Sequence, residues 1–293
     1  METVRILEVK QSVFANNEAQ ADKLRAELKE KGIYLLNLMS SPGSGKTTTL
    51  TRLIELLKAD LKIGVMEADI DSDVDAKTIA ATGAKAIQLH TGGMCHLDAA
   101  MTRQGLEGLG SQDADLVVLE NVGNLVCPAE FDTGAVSNMA ILSVPEGHDK
   151  PLKYPLMFQV CDTVLINKID VAPYFDFDFE KCTEYIHMRN PKAKIFPISA
   201  KTGKGMEAVA HWLKEEVRNC AGVELGRANQ IAYVLQNDQI DITGIQSFQT
   251  LTGHGRIQMA HAAGVELNCF GTGGGNGFGI HIGIDICLHN ADF

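Results

Sequence analysis

Apolar and polar positions along the first 220 residues fall into a repeating order of short apolar run, loop and amphipathic stretch. Runs suited to buried parallel strands occur at 34–39, 62–66, 86–89, 116–119, 139–144, 164–166 and 195–198. They are predominantly apolar, as expected of strands in a sheet covered on both faces. Helical patterns lie between several of them, and in the clearest, 47–58, Leu50, Leu53, Ile54 and Leu57 share one face. This alternation predicts an α/β fold, a mostly parallel sheet with helices on both faces and ligands at the carboxyl ends of its strands. A last amphipathic stretch, HWLKEEVRNC, ends at Cys220.

Composition changes sharply at that point. The first 220 residues hold 18 lysines and residues 221–293 hold none, whereas the latter contain 13 of the 28 glycines and none of the eight prolines. We read this as a glycine-rich C-terminal extension of unassigned fold. Within it Ile280, Ile282, Ile284, Ile286 and Leu288 alternate with His281, Gly283, Asp285, Cys287 and His289, the period of a strand. Its polar face offers possible metal ligands such as Cys287 with His289, although a half-exposed strand requires none. The segment 271–279, GTGGGNGFG, reads as a flexible loop.

Charge and cysteine usage narrow the function class. Lys and Arg total 26 against 37 Asp and Glu, a formal charge of −11 that repels polyanions, so no nucleic-acid partner is expected. Seven cysteines, an odd number in a chain too long to need staples, favour reduced thiols and a cytoplasmic setting. The chain has no run of ~18 apolar residues, so no membrane span is expected. Nor does METVRILEVKQ have the apolar run of a secretory leader.

The strongest motif follows the first strand: Ser40-Ser41-Pro42-Gly43-Ser44-Gly45-Lys46-Thr47, with Thr48 next. Gly43 and Gly45 permit the backbone turn that aims amides at phosphate, and the helix N-terminus adds positive potential. Lys46 is expected to reach the β and γ phosphates and the Thr47 hydroxyl to bind Mg²⁺. The usual first glycine of such a P-loop is Ser40 here. The expected organisation is therefore an N-terminal segment and helix (1–32), a P-loop NTPase domain (33–220) and the extension (221–293).

The strand near 164–166 runs into Asn167-Lys168-Ile169-Asp170. A carboxylate at Asp170 can accept from the N1 and N2 donors of guanine, which adenine lacks, so GTP is the favoured nucleotide. Ser199-Ala200-Lys201, after the next strand, stands where backbone amides would meet the guanine oxygen.

Two acidic segments are candidates for Mg²⁺ and the attacking water. One is Glu67-Ala68-Asp69-Ile70-Asp71-Ser72-Asp73-Val74-Asp75, in which Asp71 and Asp73 read as solvated; the other is Glu120-Asn121-Val122-Gly123. Gly93-Met94-Cys95-His96 puts a thiolate beside an imidazole, and Cys127 follows Gly123 by four residues. Two thiolates and an imidazole suit Zn²⁺ or Ni²⁺, while a structural role for the Cys-His pair also fits. Because Cys127 follows a segment expected to move with the nucleotide, its metal affinity is expected to depend on nucleotide state.

The combination SSPGSGKTT, EADIDSDVDA, GMCHLDAAM, ENVGNLVCPAEFD, SVPEGHDKPLKYPLMF, NKID and ISAKTGKGM resembles the HypB family of hydrogenase nickel-incorporation GTPases over about residues 1–220. The resemblance implies a GTP-hydrolysing homodimer that works with the nickel chaperone HypA to deliver nickel to the large subunit of [NiFe]-hydrogenase. It implies Lys46 and Thr47 at phosphate and Mg²⁺, Asp69 and Asp75 in a first switch, and Glu120 in a second. It also makes Cys95, His96 and Cys127 metal ligands at the dimer interface. The N-terminus lacks the Cys- or His-rich nickel-storage segment of some members, so storage there is not expected. Hydrolysis is expected to be slow, since no arginine finger is evident near the switches. Two alternatives stay open: a GTP-dependent metal-binding scaffold with incidental turnover, and a sister metallochaperone GTPase serving urease or a cobalamin enzyme.

Overall fold

The computed structural model describes residues 5–8, 16–69, 74–221, 257–259, 266–270 and 283–287. The chain divides into two compact units, 1–228 and 229–293.

The first unit is built on strands β1 (Arg5–Glu8), β2 (Tyr34–Ser40), β3 (Ile63–Asp69), β4 (Lys85–His90), β5 (Leu116–Glu120), β6 (Ser137–Ser143), β7 (Thr163–Asn167) and β8 (Lys194–Pro197). Its helices are α1 (Asn17–Glu30), α2 (Lys46–Leu57), α3 (Val74–Ala80), α4 (Ala99–Leu109), α5 (Cys127–Glu130), α6 (Lys150–Lys153), α7 (Pro155–Val160), α8 (Phe179–Arg189) and α9 (Met206–Cys220). The strands form one sheet in the order β1-β4-β3-β5-β2-β6-β7-β8, every pairing parallel. All seven strands expected from the apolar runs are present. The eighth, β1, joins the edge beside β4.

Alternate residues of each strand feed cores on opposite faces. Leu36 and Leu38 of β2 pack with Leu50, Leu53 and Ile54 of α2, Ile79 of α3 and Leu213 of α9. On the opposite face Leu35 packs with Leu24 and Leu28 of α1 and Met101 of α4, while Met39 packs with Met157 and Phe158 of α7 and Ile186 of α8. Since α1 contributes to this core, it is a structural part of the sheet's cover. Burying one leucine side chain stabilises the fold by roughly 1.5–3 kcal/mol, so α1 is held by packing as well as by polar contacts.

In the second unit the strand expected at 280–288 is found as Gly283–Cys287, paired antiparallel with Glu266–Phe270, which also pairs with Ile257–Met259. The loop 271–279 and His289 of the suggested Cys287–His289 ligand pair lie outside the described residues.

Candidate functional site

Parallel strands carry their carboxyl ends to one edge, and β2, β3, β5 and β7 all deliver polar residues there. Ser40 ends β2, and the chain turns through Gly43 (φ 76°) and Gly45 (φ 99°) into α2. Helix α2 has no side-chain cap, so its first amides are left for a ligand, and a helix N-terminus attracts anions. Lys46 Nζ donates to Ser40 Oγ at 3.1 Å, lying back along the loop. Thr48 and Thr51 of the same helix line an adjoining cleft with Arg52, Asp75 and Lys201.

Asn167 ties three segments together. Its Nδ2 donates to the Ser44 carbonyl at 2.9 Å, and its Oδ1 accepts from Lys168 N at 2.7 Å and Ala200 N at 3.1 Å. A Cβ on Gly45 would lie 2.6 Å from Asn167 Nδ2, so glycine there serves close packing as well as the positive φ. Lys168 is the one described non-glycine residue with positive φ (65°), and its Nζ reaches the Gly43 carbonyl at 2.6 Å. Asp170 Oδ1 accepts from Ser199 Oγ at 2.7 Å, and that hydroxyl also accepts from Thr202 N at 3.1 Å. The phosphate loop, the Asn167–Asp170 segment and the Ser199–Lys201 turn are thus one hydrogen-bonded unit.

Glu120 ends β5 next to the P-loop, where Thr47 Oγ1 donates to its Oε1 at 3.3 Å. Opposite it in register on β3 stands Glu67. Oxygens of Glu67, Asp75 and Glu120 all lie within 4.8 Å of one another, and this is the one such group of three among the described residues. Burial, then the charge and hydrogen bond of Glu120, push the Glu67 carboxyl up to about 11. Burial likewise raises Glu120, with Lys46 pulling the other way. Oε2 of each is buried without a hydrogen-bond partner. Carboxylates so crowded and so poorly paired suit a divalent cation. Asp69 ends β3 opposite His90, and Asp71 and Asp73 lie outside the described residues.

Sequence reasoning passed over Glu67 in favour of its neighbours. The available signal was its position inside the strand, between Met66 and Ala68, where a buried acid needs a partner.

The segment after Glu120 is anchored to the P-loop strand. Asn121 N donates to the Leu38 carbonyl at 2.9 Å and its Nδ2 to Asn37 Oδ1 at 3.0 Å, while a Cβ on Gly123 would meet Pro42 Cγ at 3.2 Å. This segment leads to Cys127, the first residue of α5, whose sulfur accepts from Asn124 Nδ2 at 3.4 Å. A turn through Gly92 and Gly93, both at positive φ, delivers Cys95. The Cys95 and Cys127 sulfurs lie 2.8 Å apart, and Cys95 as neighbour, then burial, raise the Cys127 thiol above its usual range.

His96 is not gathered with them. Its ring stacks on Phe131, centroids 3.5 Å apart and planes 10° from parallel, and burial lowers its pKa against the opposing charges of Asp98 and Glu130.

Other cysteines and histidines have packing roles. Cys161 and Cys182 are buried thiols in the core beside α7 and α8, and burial pushes both well above the usual thiol range. His148 lies against Phe177 and Tyr185. Trp212 packs on Phe196 and donates to Glu216 Oε1 at 2.9 Å.

The family described as "CobW/HypB/UreG, nucleotide-binding domain" matches residues 34–197. The "Hydrogenase maturation factor HypB" of Azotobacter chroococcum is 46% identical over 212 residues, covering 72% of this chain and 70% of that protein. The "Hydrogenase/urease maturation factor HypB" of Helicobacter pylori is 38% identical over 216 residues, covering 72% of this chain and 88% of that protein. The crystal structure of HypB from Helicobacter pylori in complex with nickel superposes with a TM-score of 0.65 at 40% identity, covering 70% of this chain and 96% of that one.

Proposed function

Because the chain belongs to the CobW/HypB/UreG nucleotide-binding family, and within it to the HypB hydrogenase maturation factors, we propose that it is a GTP-hydrolysing metallochaperone assisting nickel insertion into the large subunit of [NiFe]-hydrogenase. The observation that carries this reading is a short mechanical path. Glu120 accepts from Thr47 of the P-loop, and seven residues later Cys127 meets Cys95.

GTP is held in this reading by the amides of Gly43, Ser44, Gly45, Lys46, Thr47 and Thr48, with the Lys46 ammonium on the β and γ phosphates. Asn167 braces the loop, Asp170 reads guanine, and Ser199, Ala200 and Lys201 present the amides that face its oxygen. Ser199, by donating to Asp170, fixes the carboxylate's rotamer before guanine arrives. Thr47, Asp69, Asp75 and Glu120, joined by Glu67, form the Mg²⁺ pole, which the orphaned oxygens of Glu67 and Glu120 fit. When bound, Mg²⁺ neutralises charge on the phosphates. Asp75 and Glu120 orient the attacking water in this reading. Turnover is slow and regulatory in this reading: Arg52, the arginine of the adjoining cleft, is paired with Glu55 at 3.2 Å.

Nickel, or zinc in its place, is cargo held by Cys95, Cys127 and His96 at the interface of a homodimer, exchanged with the nickel chaperone HypA. Val126, beside Cys127, is a half-exposed apolar side chain that such an interface would cover. The cytoplasm keeps these thiols reduced. No described helix is long and apolar enough to cross a membrane. A second reading, service to urease, is favoured by the similarity to the Helicobacter pylori hydrogenase/urease maturation factor.

The test is complementation of a strain lacking its HypB. Restored hydrogenase activity with the intact chain, and its loss with Lys46→Ala or Cys127→Ser, is expected. Full activity from both variants overturns the proposal, and restoration of urease alone would favour the second reading.

A further inference from the structure

His96 adjoins Cys95 in sequence, yet its ring nitrogens are buried and have no hydrogen-bond partner. The residue is 6% exposed, so no metal, from this chain's thiols or from a partner copy, can reach those nitrogens in the arrangement seen. Among the described residues the three-ligand group is the carboxylate one, so His96 and the two cysteines are not assembled. What covers His96 is Phe131, lying flat on the imidazole.

Phe131 follows Cys127 by four residues, downstream of the Glu120–Gly123 segment. The residue after it is strapped down by helix α1. Arg25 Nη2 donates to both Asp132 carboxylate oxygens at 2.8 Å and Arg25 Nε to the Ala135 carbonyl at 2.8 Å. Asn17 Nδ2 donates to the Asp132 carbonyl at 2.9 Å, and its Oδ1 accepts from Ala99 N at 3.0 Å, at the start of the helix that follows His96. One helix therefore fastens both halves of the stack.

We propose that Phe131 is a positioning residue that gates the third metal ligand, keeping His96 stowed until displacement of the 127–135 segment lets the imidazole join Cys95 and Cys127. The inference rests on the assignment of those residues as the metal site. A stowed imidazole without polar partners is poised to leave, since coordination would satisfy one nitrogen and expose the other to water. Metal first meets two sulfurs, and its affinity rises when the nitrogen is added, so departure of one aromatic ring from the imidazole changes retention by changing the number of ligands.

The test titrates Ni²⁺ into the full-length, nucleotide-free protein, read by thiolate-to-nickel absorption. Phe131→Ala is expected to bind Ni²⁺ on the order of tenfold more tightly than the parent, and Phe131→Leu less so, with GTP affinity unchanged. Arg25→Ala, which loosens the strap and keeps the ring, is expected to shift affinity the same way by a smaller factor. Adding His96→Ala to Phe131→Ala should remove the gain. Nickel affinity in GTP-binding Phe131→Ala equal to or weaker than the parent's overturns the gate. If Phe131→Ala fails to bind GTP, Phe131→Leu decides by the same criterion. Cys95→Ser in the otherwise unaltered chain separates the two ideas: unchanged nickel binding overturns the metal site itself, whereas weakened binding with no gain in the Phe131 variants overturns the gate alone.

Discussion

Glu67 and Glu120 face each other across the parallel register of β3 and β5, both buried, with Asp75 completing a triangle of oxygens within 4.8 Å. Two carboxylates cannot both ionise at that spacing without a cation, so the cation-free protein keeps a proton between them at neutral pH.

That shared proton has a signature in stability. Burial and the neighbouring Glu120 keep it bound in the folded state well above the ordinary 4.5 at which the unfolded chain releases it. Above 4.5 the folded state binds more protons than the unfolded one, so stability falls as pH rises, by up to about 1.4 kcal/mol per pH unit. Glu67→Gln should flatten this slope, as should saturating Mg²⁺ with GTP, measured by denaturant unfolding between pH 6 and 9. An identical slope in Glu67→Gln would show that the pair does not share a proton.

Gly45 is constrained twice, by φ 99° and by Asn167 Nδ2 at 2.6 Å from any added Cβ. Gly45→Ala should therefore break the Asn167–Ser44 bond, destabilise the fold by ~1–3 kcal/mol and weaken guanine-nucleotide binding at least tenfold. Fluorescent GDP titration beside thermal unfolding measures both, and unchanged affinity would remove Asn167 as the brace.

Asp170 is held by Ser199 at 2.7 Å in readiness for two guanine donors. Asp170→Asn replaces an acceptor by a donor, so GTP affinity should fall on the order of 100-fold while xanthosine triphosphate, with an oxygen at that position, gains. Competition between the two nucleotides decides it. Equal losses for both would mean that Asp170 does not contact the base.

Much of this was legible in the sequence because it is local. The P-loop turn and the Asn167–Asp170 segment lie within eight and four consecutive residues, and their glycines and carboxylate declare their chemistry without tertiary information. The seven apolar runs declare the sheet for the same reason. Glu67 did not stand out among its acidic neighbours because its partner, Glu120, is supplied by strand register. Strand β1 is only four residues long and mixes charge with apolar side chains, too little for periodicity to resolve. Adjacency misled in the opposite direction at His96: sequence puts it beside Cys95, but stacking on Phe131 turns its ring away.

In the proposed function the nucleotide site and the cysteine pair share one moving segment, from Glu120 through Cys127. The direct measurement is Ni²⁺ affinity of the purified protein with GDP and with a non-hydrolysable GTP analogue, both with Mg²⁺. Affinities differing by about 5-fold or more between the two states are expected for a coupling of ordinary size. Equal affinities in the two states would mean that the nucleotide does not control the metal site.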